Sequence, residues 1–190
     1  MPRSDTAPVY WTVEWENDIP LARHTTLAAM LARIYPQHSE SFTGTHSWSG
    51  ARPEVRIIGS KDDRPIAHLG LLRRFLRVPE RGLNILVGDV GLVGIDPDFR
   101  GKGLGKILLK QTKLLMTDLK LPYGFLTCRP EVVPFYKSGG WWTIEGQTTR
   151  MIDNDHLPED YTGPAMVLSV HSSRFDWPEH CVVVRNGLEV

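Results

Sequence analysis

Apolar residues recur along the chain at two spacings, and the spacing changes where glycine, proline or clustered polar residues occur. Residues 9–16 (VYWTVEWE) alternate along the chain, which predicts a first strand with one buried face. Between Leu21 and Tyr35 the apolar residues recur at helical spacing. Pro36 ends this predicted helix because the residue before a proline avoids the α region. Extended, mostly apolar runs predict three further strands, at residues 55–59, 65–78 and 83–95.

The stretch that the other elements surround runs from Asp96 to Leu119. Asp96 and Pro97 end the preceding strand, since proline has no N–H to give to a ladder. A glycine loop (RGKGLG) follows at residues 100–105, and after it apolar residues at near-helical spacing predict a helix. The first N–H groups of such a helix have no partner within it, and glycines let an anion approach the backbone. This order of elements predicts a phosphate-binding site, although neither GxxxxGK[ST] nor GxGxxG is present.

The second half of the chain is predicted to contain shorter elements. A strand at residues 123–128 is followed by a short helix at residues 130–138, which ends at Gly139-Gly140. Further strands are predicted at residues 147–152, 165–170 and 181–184. Acidic loops are predicted between them, at residues 153–155 and 158–160.

A long polar loop at residues 37–53 separates the first helix from the second strand, and it contains His38, Phe42, His46 and Trp48. Loops of this length inside compact domains often bind ligands or cover active sites. The aromatic and histidine content favours a functional loop. The alternative is a solvated connector whose Trp48 fills the edge of the core.

Composition narrows the class of protein. A chain of 190 residues with 41% hydrophobic and 23% charged residues suits one globular domain, residues 1–190. The formal net charge of zero argues against a nucleic-acid partner held by a broad basic face. The two cysteines match no metal-ligand spacing, so no metal is expected. No apolar run approaches the ~20 residues that span a bilayer. We therefore expect a cytoplasmic protein without a membrane partner.

Two motifs resemble the GCN5-related N-acetyltransferase (GNAT) superfamily. The first is Arg100-x-x-Gly103-x-Gly105, and the second is the string FYKSGGW at residues 135–141. The resemblance implies an α/β (α+β) fold in which helices flank a mixed, mostly antiparallel central sheet with splayed middle strands. It also implies acetyl-CoA as the co-substrate. The residues that would hold this cofactor are Val93, Gly94, Ile95, Arg100, Gly101, Lys102, Gly103, Leu104, Gly105 and Lys106.

Acetyl transfer to an amine requires a proton for the leaving thiolate and a base for the ammonium. The resemblance assigns the first task to Tyr136, whose phenol has an unperturbed pKa near ~10. The alternative is a core tyrosine of a short helix. Asp89 is the candidate base because an acid between glycines on an apolar strand is costly to bury. It could instead cap a loop or pair with an arginine. His46 and His68 are weaker candidates, and His68 has the pattern of a satisfied core histidine.

The acceptor is approached through two narrower resemblances. Residues 15–17, 46–54 and 67–75 resemble the nodulation N-acyltransferases (NodA), which put a fatty acyl chain on the free amine of a chitooligosaccharide. This resemblance is predicted to cover the N-terminal half. The tyrosine helix and the C-terminal strand resemble the aminoglycoside 2′-N-acetyltransferases, in particular the kasugamycin-modifying branch. At the position where classical members of that family have a strand glutamate, this chain has Gly91.

We therefore expect an antibiotic-resistance enzyme that acetylates an amino sugar of the kasugamycin type, with NodA-like acylation or a peptide N-acetyltransferase as alternatives. An inactive acetyl-CoA sensor is disfavoured by the intact Tyr136. A homodimer is a further possibility left open by the sequence. The predicted acceptor-binding residues are His46, Trp48, Glu54, Asp153, Asp155, Asp160, Glu189 and Val190.

Overall fold

The computed structural model describes residues 8–190, and one mixed β-sheet runs through this range. The helices are α1 (Leu21–Ile34), α2 (Leu104–Asp118) and α3 (Val133–Lys137). The strands are β1 (Tyr10–Trp15), β2 (Val55–Lys61), β3 (Arg64–Val78), β4 (Leu83–Ile95), β5 (Tyr123–Thr127), β6 (Trp142–Thr143), β7 (Thr148–Ile152), β8 (Pro158–Tyr161), β9 (Ala165–Ser169) and β10 (Val182–Arg185). Assignment of the whole chain, 1–190, to one domain stays a prediction.

The sheet has the order β6-β9-β5-β4-β3-β10-β7-β8, and β1 is attached to β3 through β2. Two pairs, β4–β5 and β10–β7, are parallel and the others are antiparallel. One edge of β3 pairs with β4. The other edge pairs first with β2 and then, at residues 76–77, with β10. The predicted mixed, mostly antiparallel sheet flanked by helices is confirmed.

The two long helices cover opposite faces of the sheet. Ile57 belongs to the apolar cluster beneath α2, and the next residue, Ile58, belongs to the cluster beneath α1. Successive side chains of a strand point to opposite faces, so these clusters lie on the two sides of β2. A third cluster, around Trp177, contains residues of β3, β4, β5, β9 and β10.

The middle of the sheet opens because β4 changes register. Its pairing with β3 shifts between Gly91 and Gly94, and Leu92 in this bulge has φ +51°. On its other edge β4 pairs with β5 only over residues 87–89. Beyond Asp89 the two strands separate, which confirms the predicted splay.

The glycines of β4 are explained by close packing. A Cβ atom on Gly88 would lie 2.9 Å from Leu121 and 3.1 Å from Met116, and one on Gly94 would lie 2.4 Å from Ile34. A Cβ on Gly91 would lie 1.9 Å from the main-chain oxygen of Val190. These glycines therefore let helices and the C-terminal segment approach the strand.

Predicted element boundaries in the first two thirds of the chain differ from the structure by a few residues at most. The predicted acidic loop at residues 158–160 is wrong, because these residues form β8. Proline and acidic residues have low strand propensity. Here the pairing with β7 outweighs that propensity, since Arg150 lies opposite Asp160 and the two side chains form an ion pair at 2.7 Å.

Candidate active site

The glycine loop begins α2 without a side-chain cap. Gly103 is the residue before the helix and has φ +79°, and Gly101 has φ +75°. A Cβ on either would have no neighbour within 4 Å, so both face open space. The first-turn N–H groups of α2 thus face a site open to an anion, and the helix dipole favours negative charge there. Gly105 has another role, because a Cβ there would lie 2.7 Å from the Phe135 ring.

Two basic side chains of the loop contact residues that precede it. Arg100 Nε donates to the Ile95 carbonyl at 3.2 Å, and Lys102 Nζ lies 5.0 Å from the centre of the Phe99 ring. The preceding Asp96 accepts from Arg33 and Arg64 and caps the turn at Asp98. Burial would raise the pKa of Asp96, but these contacts lower it overall. Asp96 is therefore part of the scaffold of the loop.

The separated edge of β4 gives the second part of the predicted donor site. Beyond Asp89, Gly94 and Ile95 pair with β3 while Val93 lies in the bulge, and the described β4–β5 ladder does not extend to these residues. The Tyr35 hydroxyl donates to the Val93 carbonyl at 2.7 Å. A ligand that pairs with this edge would thus share or displace the Tyr35 contact.

Tyr136 lies on α3 and belongs to the apolar cluster beneath α2. The side chain is buried, with edge contacts to the Phe135 and Trp141 rings. Burial raises its pKa far above the usual value, and Tyr35, Cys128 and Glu189 act in the same direction. The phenol is thus protonated at neutral pH, as a general acid must be at the start of the reaction.

The structure corrects the prediction that Asp89 is the catalytic base. Its side chain is fully buried, and its carboxylate lies 3.0 Å from Arg74 Nε and 3.2 Å from Arg185 Nη2. Burial raises the pKa of Asp89, and the two guanidinium groups oppose that rise. A carboxylate enclosed in this way is a counter-ion. The structure favours the arginine-pair alternative and leaves Asp89 without access to an acceptor amine.

Three segments distant in sequence meet beside the splay. The Glu189 carbonyl accepts from Ala51 N–H at 2.6 Å, which joins the C-terminal segment to the long loop. A Cβ on the neighbouring Gly50 would lie 2.2 Å from that carbonyl and 3.7 Å from Asn154 Oδ1 in the β7–β8 turn. Val190 is buried against Gly70 and Gly91. The long loop, the turn and the C-terminal segment therefore form one wall, which we call the acceptor wall.

Several predicted acceptor contacts are engaged elsewhere. Glu54 forms an ion pair with Arg73, whose hydrogen bond lowers the pKa of Glu54. Asp160 pairs with Arg150, and Asp153 accepts from two N–H groups of its own turn. Asp155 is exposed at that turn. These acids do not make an open acidic pocket.

Trp48 is also already packed. Arg52 lies 4.6 Å from the centre of its ring, and the His46 ring meets it at 4.3 Å in an edge-on arrangement. The indole is half-buried against the cluster beneath α1. These contacts favour the alternative prediction, in which Trp48 fills the edge of the core, over stacking on a sugar.

A buried polar network supports the β4 bulge from beneath. Arg56 donates to Glu16 at 2.5 and 2.9 Å and to His68 Nε2 at 3.0 Å. His68 Nδ1 donates to the Leu92 carbonyl at 2.8 Å. Burial, followed by the charge of Arg56, lowers the pKa of His68 to about 3. His68 is therefore a core histidine whose two ring nitrogens are both hydrogen-bonded, as its sequence pattern indicates.

Three residues of the site escaped the sequence analysis. Tyr35 was considered only as a helix end and Thr127 only as a strand residue, and Arg185 lies one residue beyond the last predicted strand. Arg185 donates to both Thr127 and Asp89, and Tyr35 donates to Val93. The adjacent Pro36 is the only local signal at Tyr35. Arg185, an arginine ending an apolar strand, is a signal of a buried ion pair.

Two negative findings apply to residues 8–190. They contain no group of three or more His, Cys, Asp or Glu side chains that could hold a metal ion. No helix in this range has the length and hydrophobicity that crossing a membrane requires.

Solved structures share this arrangement of sheet and helices. Escherichia coli YhbS, a GNAT family N-acetyltransferase in complex with CoA, covers 97% of this chain and 93% of its own length, with a TM-score of 0.64 and 12% identity. Escherichia coli ElaA covers 85% of this chain and all of its own, with a TM-score of 0.60 and 16% identity. The fold is therefore the GNAT fold.

The sequence relatives are more specific. The profile of the family described as Nodulation protein A (NodA) matches residues 6–190. Nodulation protein A of Rhizobium tropici is 33% identical, covering 96% of this chain and 98% of its own. That of Bradyrhizobium sp. (strain NC92) is 34% identical, covering 96% and 92%. The chain belongs to the NodA family. The prediction that the NodA resemblance covers only the N-terminal half is wrong.

Proposed function

We propose that the protein transfers an acyl group from a coenzyme A-type thioester to the free amine of a chitooligosaccharide. The observation that carries this proposal is the NodA match over residues 6–190, in a chain that keeps the glycine loop and Tyr136. In the proposed reaction the loop N–H groups hold the donor pyrophosphate, and the separated edge of β4 pairs with the pantetheine arm. Tyr136 gives its proton to the leaving thiolate.

The charges of the acceptor wall support this acceptor over an aminoglycoside. An aminoglycoside is a polycation, and its capture needs several unpaired carboxylates. Here Glu54 and Asp160 are paired with arginines and Asp89 is buried. A chitooligosaccharide with one free amine needs only one negative group near the thioester. The kasugamycin-type acceptor expected from sequence therefore loses its electrostatic basis.

The test is a matrix of donors and acceptors with the purified protein. Acetyl-CoA and a long-chain acyl-CoA are each paired with kasugamycin, with a chitooligosaccharide that has one free amine, and with the fully N-acetylated oligomer as the matched control. We expect transfer to the free-amine oligomer alone, and the donor that supports it shows the acyl length. Acetylation of kasugamycin without transfer to the oligomer would overturn the proposal.

Tyr136→Phe is the matched variant for this assay, because it keeps the ring and removes the phenol proton. We expect kcat to fall by about 10²- to 10⁴-fold, the usual range for loss of a general acid. Donor affinity, measured by calorimetry with CoA, should be unchanged. Full kcat in this variant, with chemistry shown to be rate-limiting, would exclude Tyr136 as the acid.

A further inference from the structure

We propose that Glu189 is the base that accepts a proton from the acceptor ammonium. The inference rests on the proposed function, which requires an amine in its neutral form. Glu189 takes one ammonium proton and releases it to solvent. The amine nitrogen then bonds to the thioester carbon, and the C–S bond breaks. The thiolate takes the phenol proton of Tyr136, and the second nitrogen proton goes to the resulting phenolate.

The main chain on both sides of Glu189 is held in place. Arg74 Nη2 donates to the Leu188 carbonyl at 2.9 Å, and Ala51 N–H donates to the Glu189 carbonyl at 2.6 Å. Val190, at 6% exposure, packs against Gly70 and Gly91. The direction of the Glu189 side chain is thus set by contacts with β3, β4 and the long loop.

The Glu189 carboxylate is anchored at the open end of the splay. It accepts a hydrogen bond from the Thr127 hydroxyl and lies 3.4 Å from Arg185 Nη1. Thr127 stands two residues beyond Phe125, which is the last β5 residue paired with β4. The carboxylate therefore sits where the two strands have parted.

Glu189 acts electrostatically on the groups around that opening. Its charge contributes to the raised pKa values of Tyr35 and Tyr136, after burial as the main cause, and burial and Glu189 together raise the pKa of Cys128 to about 11. The side chain is 46% exposed, so protons can leave it to solvent. Asp89 is fully buried, and both carboxylate oxygens of Glu54 accept from Arg73 Nε, whereas Glu189 contacts Arg185 and Thr127 through one oxygen, Oε1.

The pH dependence of the reaction depends on every group that faces Glu189. These groups are Arg185, Arg74, Asp89, Tyr35, Tyr136, Cys128 and Tyr161. Arginine stays protonated at all working pH values. The phenols and the thiol have raised pKa values, so they remain neutral near pH 7. A change in the pH profile on replacing Glu189 thus reports on the base and the acceptor amine.

The test compares Glu189→Gln with Glu159→Gln, which removes a charge from the exposed strand β8. We expect Glu189→Gln to lower kcat/KM for the amine acceptor by about 10²-fold or more at pH 7. This loss should shrink as pH rises, because the acceptor amine then loses its proton without help. Glu159→Gln should keep the wild-type profile. Glu189→Asp keeps a carboxylate and should retain part of the rate with the wild-type shape of profile.

Three results would count against the inference. Glu189→Gln with the wild-type rate at every pH would remove Glu189 from the reaction. An equal loss at every pH, together with a lowered free energy of unfolding, would make it only a counter-ion of Arg185. A poorly folded Glu189→Gln is answered by Glu189→Asp, whose inactivity in a folded state would also overturn the inference. A wild-type protein that acylates no amine would instead overturn the proposed function itself.

Discussion

Single residues far from the reacting atoms shape this site, and His68 is the clearest example. It donates to the carbonyl of Leu92, a branched residue held at φ +51° in the β4 bulge. Such a backbone conformation is disfavoured for a residue with a Cβ atom and needs support from its surroundings. Because Arg56 donates to the other ring nitrogen, the imidazole must stay neutral to keep both bonds. The shape of the splay thus depends on an uncharged histidine.

We expect this dependence to appear as a loss of stability in mild acid. The folded pKa of His68 is about 3 against an ordinary value of 6.5, so below pH 6.5 the unfolded chain binds a proton that the folded chain does not. The contribution is complete above pH 6.5 and is lost as pH falls, at about 1.4 kcal/mol per pH unit. Urea unfolding of wild type and His68→Gln between pH 5 and 6.5 measures it, since the variant should lack this slope. His38→Gln, at an exposed position, is the control, and equal slopes in all three proteins would refute the account.

At the scale of elements, the glycine loop divides its work between two functions. Gly101 and Gly103 have positive φ and open surroundings, which suits a backbone approached by a ligand. The ring of Phe135, the neighbour of Tyr136 on α3, occupies the space that a Cβ atom on Gly105 would need. In the proposed reaction the one motif therefore both binds the donor and brings the helix that carries Tyr136 close to it.

Gly103→Ala separates ligand binding from backbone strain when it is compared with Gly82→Ala. Both glycines have positive φ and no atom near the added Cβ, so each change should cost about 1–2 kcal/mol of stability. Only Gly103 precedes the α2 N–H groups, so only that variant should lose affinity for CoA, measured by calorimetry. Equal CoA affinity in the two variants would move the donor phosphates away from this loop.

The elements that the sequence predicts well are those with local causes. Apolar spacing, Pro97 and the loop glycines predict strand β4 and helix α2, and both elements lie where expected. Strand β8 was predicted as a loop because its extended conformation comes from pairing with β7, which no local sequence pattern encodes. The partners of Asp89 could not be predicted for the same reason. An acid on an apolar strand indicates a buried charge, but its partners, Arg74 and Arg185, lie on other strands.

At the scale of the whole molecule, Asp89 joins three strands through one buried carboxylate. It lies on β4 and meets Arg74 of β3 and Arg185 of β10, while Arg185 also contacts Glu189. Two positive and two negative groups are thus gathered beneath the acceptor wall. Removal of one partner from a buried ion pair leaves an uncompensated charge, which is more costly than the pair itself.

We therefore expect Asp89→Asn to act on stability rather than on chemistry. Its free energy of unfolding should fall by about 3–5 kcal/mol, the usual cost of breaking a buried pair. The rate per folded molecule should stay close to wild type at a temperature where the variant is folded. Asp160→Asn removes an acid from an exposed pair and should leave stability nearly unchanged. If Asp89→Asn instead lost kcat with unaltered unfolding, Asp89 would be the base after all.

The position of β10 has a consequence for how the protein folds during its synthesis. Within residues 8–190, strands β7 and β8 are joined to the rest of the sheet through β10, which is inserted between β3 and β7. On the ribosome, residues 148–161 are therefore synthesised before the strand that connects them to the sheet exists. Pairing over such sequence distances is slow to form and leaves strand edges uncovered for that time. Acquisition of the acceptor wall should thus be the last step of folding, and acyltransferase activity should appear later than the burial of the core around α2.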